Sequence, residues 1–283
     1  MPELCLRGGE LDGIVLHFVT EGSGAPLLLL HGLGGFAAVW RHNIPVLGRH
    51  ANAIALDLPG FGRSSKPPGS YPLGFFARAI EAFRRALGLD RLTLVGHSMG
   101  GAVAAAYALA YPARVERLAL VGAVVPGFGY RVSWVYRLLA ARGLGEIMAG
   151  LMRPGLLKAA LARCFARPDP DEIDFLVRTG FPVRVSPEGR AAFLSALRCV
   201  RADFAAAADR YQRGLRSLAL PVLLIHGRQD RVVPAAHARM VAAHLRNATV
   251  RWLEGCGHFP QIEHRDTVNG WLAEFVLSRA VSR

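Results

Sequence analysis

The stretch that most constrains this chain is residues 92–113, LTLVGHSMGGAVAAAYALAYPA. An apolar run at 92–95 meets Gly96-His97-Ser98-Met99-Gly100-Gly101, and an alanine-rich segment follows. This order predicts a strand, a very tight turn and a helix, with Ser98 at the apex. Small residues at 96, 100 and 101 allow a sharp fold and a close approach of helix to strand. A G-x-S-x-G turn of this kind presents a hydroxyl beside the free N–H groups of a helix start, where negative charge is stabilised. The 22 residues carry no charge, and Gly96 and Gly100 form a GxxxG, so a membrane helix is the competing reading. It fails on spacing, because glycines and a polar triplet would sit mid-span and the first part is β-prone. The motif acquires meaning only with a histidine, an acid and oxyanion donors elsewhere.

The rest of the chain repeats the strand-then-helix pattern. Residues 4–7 and 14–19 alternate around Asp12-Gly13, a hairpin signal. Apolar runs at 26–30, 53–56, 117–121 and 221–225 read as strands buried on both faces, with a last strand at 249–253. Helices are expected at 73–87, where Gly88 ends the run, and at 267–277. The fold class is therefore α/β, with a mostly parallel sheet covered by helices on both faces. Between 127 and 218 no strand is legible, and five helices are expected at 134–149, 156–165, 171–178, 188–200 and 202–214. Asp169-Pro170 and Ser186-Pro187 each pair a capping residue with proline at the first turn. Residues 1–126 and 219–283 are thus expected to form the core, and 127–218 an inserted helical cap.

Three chemical groups fall just past predicted strands: Ser98, Asp230 and His258. Ligands in parallel α/β folds bind at those carboxyl ends. A serine hydroxyl needs a base, and the base needs an orienting acid. His258 is expected to take the Ser98 proton and Asp230 to hold the imidazole. The backbone N–H of Met99 and that of Leu33, in His31-Gly32-Leu33-Gly34-Gly35, are the expected oxyanion donors. Asp57 also follows a strand but reads as a structural turn, and His31 as an ordering residue that can also touch substrate. His97, Trp134, Leu138 and Phe259 are further expected pocket residues, and Cys256 a packing residue.

The chain resembles the α/β-hydrolase fold superfamily. HGLGG at 31–35, DLPGFGRS at 57–64, GHSMGG at 96–101, GRQDRVVP at 227–234 and GCGH at 255–258 are similar to that family's motifs and stand in its order. The resemblance covers nearly everything outside 127–218. It implies a helical cap, a Ser98–Asp230–His258 triad, and the Leu33 and Met99 N–H groups as oxyanion hole. Relatives with aspartate at the elbow, epoxide hydrolases and haloalkane dehalogenases, are argued against by Ser98. The implied activity is hydrolysis of carboxylic esters with an apolar part, in the manner of carboxylesterases and lipases, with water as acceptor. The alternatives are carbon–carbon bond hydrolysis of ring-cleavage products, or a lactonase or perhydrolase. Carbon–carbon hydrolysis would require a cationic pocket, with Arg163, Arg184, Arg190 or Arg198 as sources.

Other classes fit less well. Residues 32–37 match G-x-G-x-x-A with Asp57 twenty residues on, the pattern of a dinucleotide-binding turn, but this leaves Ser98, Asp230 and His258 unexplained. The formal charge is +13, nearly all from arginines spread along the chain rather than clustered, so no nucleic-acid surface is expected. Four scattered cysteines and the absence of HExxH imply no metal, and no cofactor is expected. The opening residues show no signal-peptide pattern, so a cytoplasmic protein without membrane insertion, monomeric or homodimeric, is the expectation.

Overall fold

The computed structural model describes residues 2–130 and 132–278. They form an eight-stranded sheet with strands β1 (Glu3–Cys5), β2 (Val15–Glu21), β3 (Pro26–Leu30), β4 (Asn52–Leu56), β5 (Leu92–His97), β6 (Val115–Val121), β7 (Val222–Gly227) and β8 (Ala248–Leu253). Their spatial order is β1-β2-β4-β3-β5-β6-β7-β8. β1, β2 and β4 pair antiparallel and the rest parallel. Leu27, Leu28, Leu29 and Leu30 are all fully buried. Successive side chains of a strand point to opposite faces. Leu28 and Leu30 accordingly join the core on one side of the sheet, and Leu27 and Leu29 the core on the other. This double burial is why the strand is a continuous apolar run.

The order turns back on itself at β3. The chain steps from β3 outward to β4, then crosses to β5 on the other side. The loops after β3 and β5 therefore leave the sheet side by side and splay apart, which opens a crevice at the carboxyl ends of the strands. Ser98 and the 31–35 loop lie at that crevice.

The helices are α1 (Ile44–Leu47), α2 (Leu73–Ala86), α3 (Met99–Ala110), α4 (Trp134–Ala140), α5 (Leu144–Gly150), α6 (Pro154–Ala162), α7 (Pro170–Val185), α8 (Pro187–Ala206), α9 (Ala208–Ser217), α10 (Ala235–Ala242), α11 (Pro260–Glu263) and α12 (Arg265–Leu277). Among the described residues, α4–α9 fill the interval between β6 and β7 with no strand. The expected helix at 134–149 is two helices, because Gly143 takes φ 79° and turns the chain between them. The helix expected to stop near Arg178 continues to Val185 through Gly180 and Pro182. Local breakers are overridden there by packing, since Ile173, Leu176 and Val177 are buried against the core. The two predicted caps form: Asp169 accepts from the N–H of Asp171 at 2.9 Å, and Ser186 Oγ from that of Gly189 at 3.0 Å. α7 is tied to the core at Glu172, whose carboxylate meets Arg41 and, at 2.7 Å, His42 Nε2. No helix among the described residues is long and apolar enough to cross a membrane.

Candidate active site

Ser98 is held at φ 53°, ψ −120°, and is the one described non-glycine residue with positive φ. Such a conformation costs on the order of 1–3 kcal/mol and persists only where its surroundings enforce it. Those surroundings are visible. Ser98 N–H donates to the Val121 carbonyl at 3.1 Å, and its own carbonyl accepts from the N–H of Val124 at 3.2 Å. A Cβ at Gly96 would lie 2.3 Å from the Gly100 carbonyl oxygen, one at Gly100 2.5 Å from that of Leu30, and one at Gly101 2.3 Å from the Ala123 Cβ. The three elbow glycines are therefore required by contact, since any side chain would push helix and sheet apart.

His258 Nε2 lies 3.0 Å from Ser98 Oγ, and its Nδ1 lies 2.8 Å from Asp230 Oδ2. Asp230 Oδ1 accepts from the N–H groups of Val232 and Val233, both at 2.8 Å. Burial alone would raise the Asp230 pKa, but the adjacent His258 and these donors outweigh it and hold the carboxyl below its ordinary range. An ionised Asp230 can only accept, so His258 Nδ1 carries the proton and the Nε2 lone pair faces the Ser98 hydroxyl. Glu263 braces the same loop, accepting from the N–H of Gly257 at 3.0 Å and of Phe259 at 3.2 Å.

The loop after β3 passes directly over Ser98. A Cβ at Gly32 would come within 2.9 Å of the Ser98 Cβ. Leu33 and Met99 line the cavity beside Ser98. His31 does not line it, contrary to its place among the expected substrate contacts. It is fully buried and joins two loops: Nε2 accepts from the Leu58 N–H at 3.1 Å, and Nδ1 donates to the Gly32 carbonyl at 2.7 Å. Burial lowers its pKa and favours this neutral tautomer. Asp57 is fully engaged as a turn acid, accepting from His17 at 2.7 Å and from the N–H groups of Ala37 and Arg63. It is thus unavailable to a ribose, and the dinucleotide reading has no acid.

The cavity next to Ser98 has a volume of about 190 Å³. His97 and Phe259 line it. His97 Nε2 donates to the His258 carbonyl at 2.7 Å, and its ring stacks on Phe259 at 5.0 Å. Trp134 and Leu138 do not line it. They stand one turn apart on α4, on the side turned to solvent, and are 71% and 38% exposed. Tyr136, on another side of the same helix, points inward instead. The sequence reading also missed Tyr130, Phe204 and Val232, which lie far apart in the chain. Of the four arginines considered, only Arg184 lines the cavity, with its guanidinium carbon 3.9 Å from the Phe193 ring centre. No carboxylate pairs with Arg184 among the described residues, and burial lowers its pKa. Arg198 is turned away to Glu146 and the Ala140 carbonyl. Cys256 is fully buried, and burial pushes its thiol pKa up, consistent with packing.

Two buried histidines give the fold a pH signature. Burial depresses His97 from 6.5 to about 3 and His237 from 6.5 to about 4. His237 is locked between the Val125 N–H and the Phe128 carbonyl. Below pH 6.5 the unfolded chain binds protons at both sites that the folded chain refuses, so stability falls with falling pH. The slope is about 1.4 kcal/mol per pH unit for each histidine until the folded pKa is reached. Urea titrations from pH 7 to pH 4.5 are expected to show this decline. An unfolding free energy that stays flat over that range would contradict the buried neutral state.

With the geometry in place, comparison with known proteins gives the family. A profile of the alpha/beta hydrolase fold matches residues 25–144 and 168–265, and the chain belongs to that family. It is 31% identical over 259 residues to the 2-hydroxy-6-oxo-2,4-heptadienoate hydrolase of Pseudomonas putida, covering 89% of this chain and 88% of the relative. It is 30% identical over 274 residues to the 2-hydroxymuconate semialdehyde hydrolase of Pseudomonas sp. strain CF600, covering 93% and 91%. Among solved structures, the 2-hydroxy-6-oxo-6-phenylhexa-2,4-dienoate hydrolase of Rhodococcus sp. strain RHA1 superposes with a TM-score of 0.81 at 28% identity, over 94% of this chain and 95% of that one. The chain is thereby a member of a hydrolase family, and a serine at its elbow is consistent with a serine hydrolase.

Proposed function

We propose that this protein cleaves apolar carboxylic esters through an acyl-enzyme on Ser98. The observation that carries the reading is the hydrogen-bonded line from Asp230 through His258 to Ser98 Oγ, ending at a cavity lined largely by apolar side chains. His258 Nε2 takes the hydroxyl proton as Ser98 Oγ attacks the ester carbonyl, and Asp230 stabilises the imidazolium that forms. The negative oxygen of the tetrahedral intermediate is received by the N–H groups of Leu33 and Met99. His258 then gives its proton to the leaving alcohol. Water attacks the acyl-enzyme by the same steps in reverse order of partners. Residues 127–218 act as a cap that selects the substrate, and residues 1–126 and 219–283 carry the chemistry.

A second reading, carbon–carbon bond hydrolysis of a ring-fission product, is favoured by one feature of the cavity. Arg184 is a half-buried cation with no carboxylate partner among the described residues, suited to a substrate carboxylate. Two of the relatives named above are dienoate hydrolases by name, and a dienoate carries such a group. One experiment separates the two readings: kcat/KM for p-nitrophenyl esters of increasing acyl length beside a dienoic ring-fission product, for the unmodified protein and Arg184→Met. The expected result is highest kcat/KM on a neutral ester, changed less than about threefold by Arg184→Met. Highest kcat/KM on the dienoate, lowered about 10- to 100-fold in Arg184→Met, would replace the ester reading with the second one.

A further inference from the structure

The helices over the Ser98 cavity have an outer face that the cavity does not use. Nine large apolar side chains are exposed among the described residues, and seven of them lie between Trp134 and Leu156. Trp134 is 71% exposed, Ile147 62%, Leu151 60% and Leu156 58%. Leu144 and Ile147 of α5 and Leu151, the residue that ends it, recur at three and seven residues, so they share one side of that helix. α4 packs beside α5, and Trp134 and Leu138 share one side of it. Tyr136 of α4 and Leu157 and Leu161 of the α6 region meanwhile face the cavity. One layer of helices thus separates the cavity from an outward apolar surface, where monomeric soluble proteins rarely leave a large contiguous patch uncovered.

The charge on this layer is one-sided. Between residues 134 and 167 the chain has six cations and one acid, Glu146, which is engaged by Arg198 at 2.8 Å. Lys158 pairs with Asp174 at 2.6 Å. Arg137 of α4, Arg142 between α4 and α5, and Arg153 just past α5 are exposed, and no carboxylate pairs with them among the described residues. The clustering that the whole-chain distribution of arginines hides is present here.

We propose that this face of α4 and α5 docks the protein on an anionic lipid bilayer. An exposed indole with Leu and Ile side chains suits the boundary between headgroups and acyl chains, and arginines beside them reach lipid phosphates. An anionic bilayer satisfies both the apolar and the positive character of the face. A second copy of this chain does not, because it would set these three unpaired arginines against three more. The docking rests on the surface alone and does not depend on the chemistry assigned to Ser98. Its consequence is that the cavity lies directly beneath the membrane-bound layer.

The test is flotation of the full chain with phosphatidylcholine vesicles, with and without about 30% phosphatidylglycerol, at about 0.15 M salt. Binding to the phosphatidylglycerol vesicles is expected at least about tenfold tighter than to phosphatidylcholine alone, and weakened by raised salt. Each cation near the surface contributes about fivefold, so Arg142→Glu with Arg153→Glu is expected to weaken binding by more than about 25-fold. Ile147→Ser with Leu151→Ser is expected to weaken it by about tenfold or more. Both variants should hydrolyse a short soluble ester as the unmodified protein does. No flotation, equal flotation with both vesicles, or unaltered binding by both folded variants would overturn the proposal. So would a dimer in sedimentation velocity that Ile147→Ser with Leu151→Ser dissociates, since the face would then belong to a second copy. The salt and lipid dependence of the unmodified protein decides the matter even where a variant fails to fold.

Discussion

Replacing Ser98 by alanine is expected to lower kcat by about 10⁴- to 10⁶-fold while leaving the fold intact. The size follows from the proposed role: no other hydroxyl stands 3.0 Å from His258 Nε2 among the described residues, so the variant has no nucleophile for an acyl-enzyme. The fold survives because the elbow is held by the Val121 carbonyl, the Val124 N–H and the three glycine contacts, none of which uses the Ser98 side chain. Steady-state kinetics on the best ester, labelling with a fluorophosphonate, and circular dichroism check the three parts. Turnover within tenfold of the unmodified protein, with labelling retained, would remove Ser98 from its role.

Asp230→Asn is the second large effect. The amide keeps the shape but can donate to His258 Nδ1, which favours the tautomer with the proton on Nε2, facing Ser98. In the serine protease triad that exchange costs about 10⁴ in kcat. The same order is expected here, because Asp230 is buried and contacts His258 at 2.8 Å. Asp57→Asn is the control. Asp57 is as buried and stands just past strand β4, but its partners are His17 and two backbone N–H groups. Its substitution is expected to cost about 1–3 kcal/mol of stability through lost hydrogen bonds, with kcat changed far less than by Asp230→Asn. A severe kcat loss in Asp57→Asn beside a mild one in Asp230→Asn would mean that the acid has been misassigned.

The proposed membrane face bears on how these measurements are set up. A substrate dissolved in vesicles and one dissolved in water test different things, because the first also measures docking. Short soluble esters isolate the Ser98 chemistry, and the comparison with longer acyl chains then isolates the cavity.

Much of this protein is decided by local sequence. Leu27–Leu30 can only be a strand buried on both faces, and glycines at 96, 100 and 101 around Ser98 can only serve a turn pressed between helix and sheet. The order of Ser98, Asp230 and His258, each just past a strand, was legible because in a parallel sheet all carboxyl ends lie on one edge. The caps at Asp169 and Ser186 were legible because a cap is a contact within three residues. Other features depend on which side of an element faces which neighbour, and only tertiary packing settles that. Trp134 and Leu138 are as apolar as pocket residues should be, yet the α4 surface they share turns outward. Arg184 is one of many arginines, and its entry into the cavity depends on α7 running through Pro182 beyond the point where its own residues signal a stop. The outward apolar side of α4 and α5 was not legible because two helices must pack side by side before their outer surfaces become one face. Residue types and near-neighbour contacts are local properties, whereas the shared surface of separate elements exists only once hydrophobic burial has brought them together.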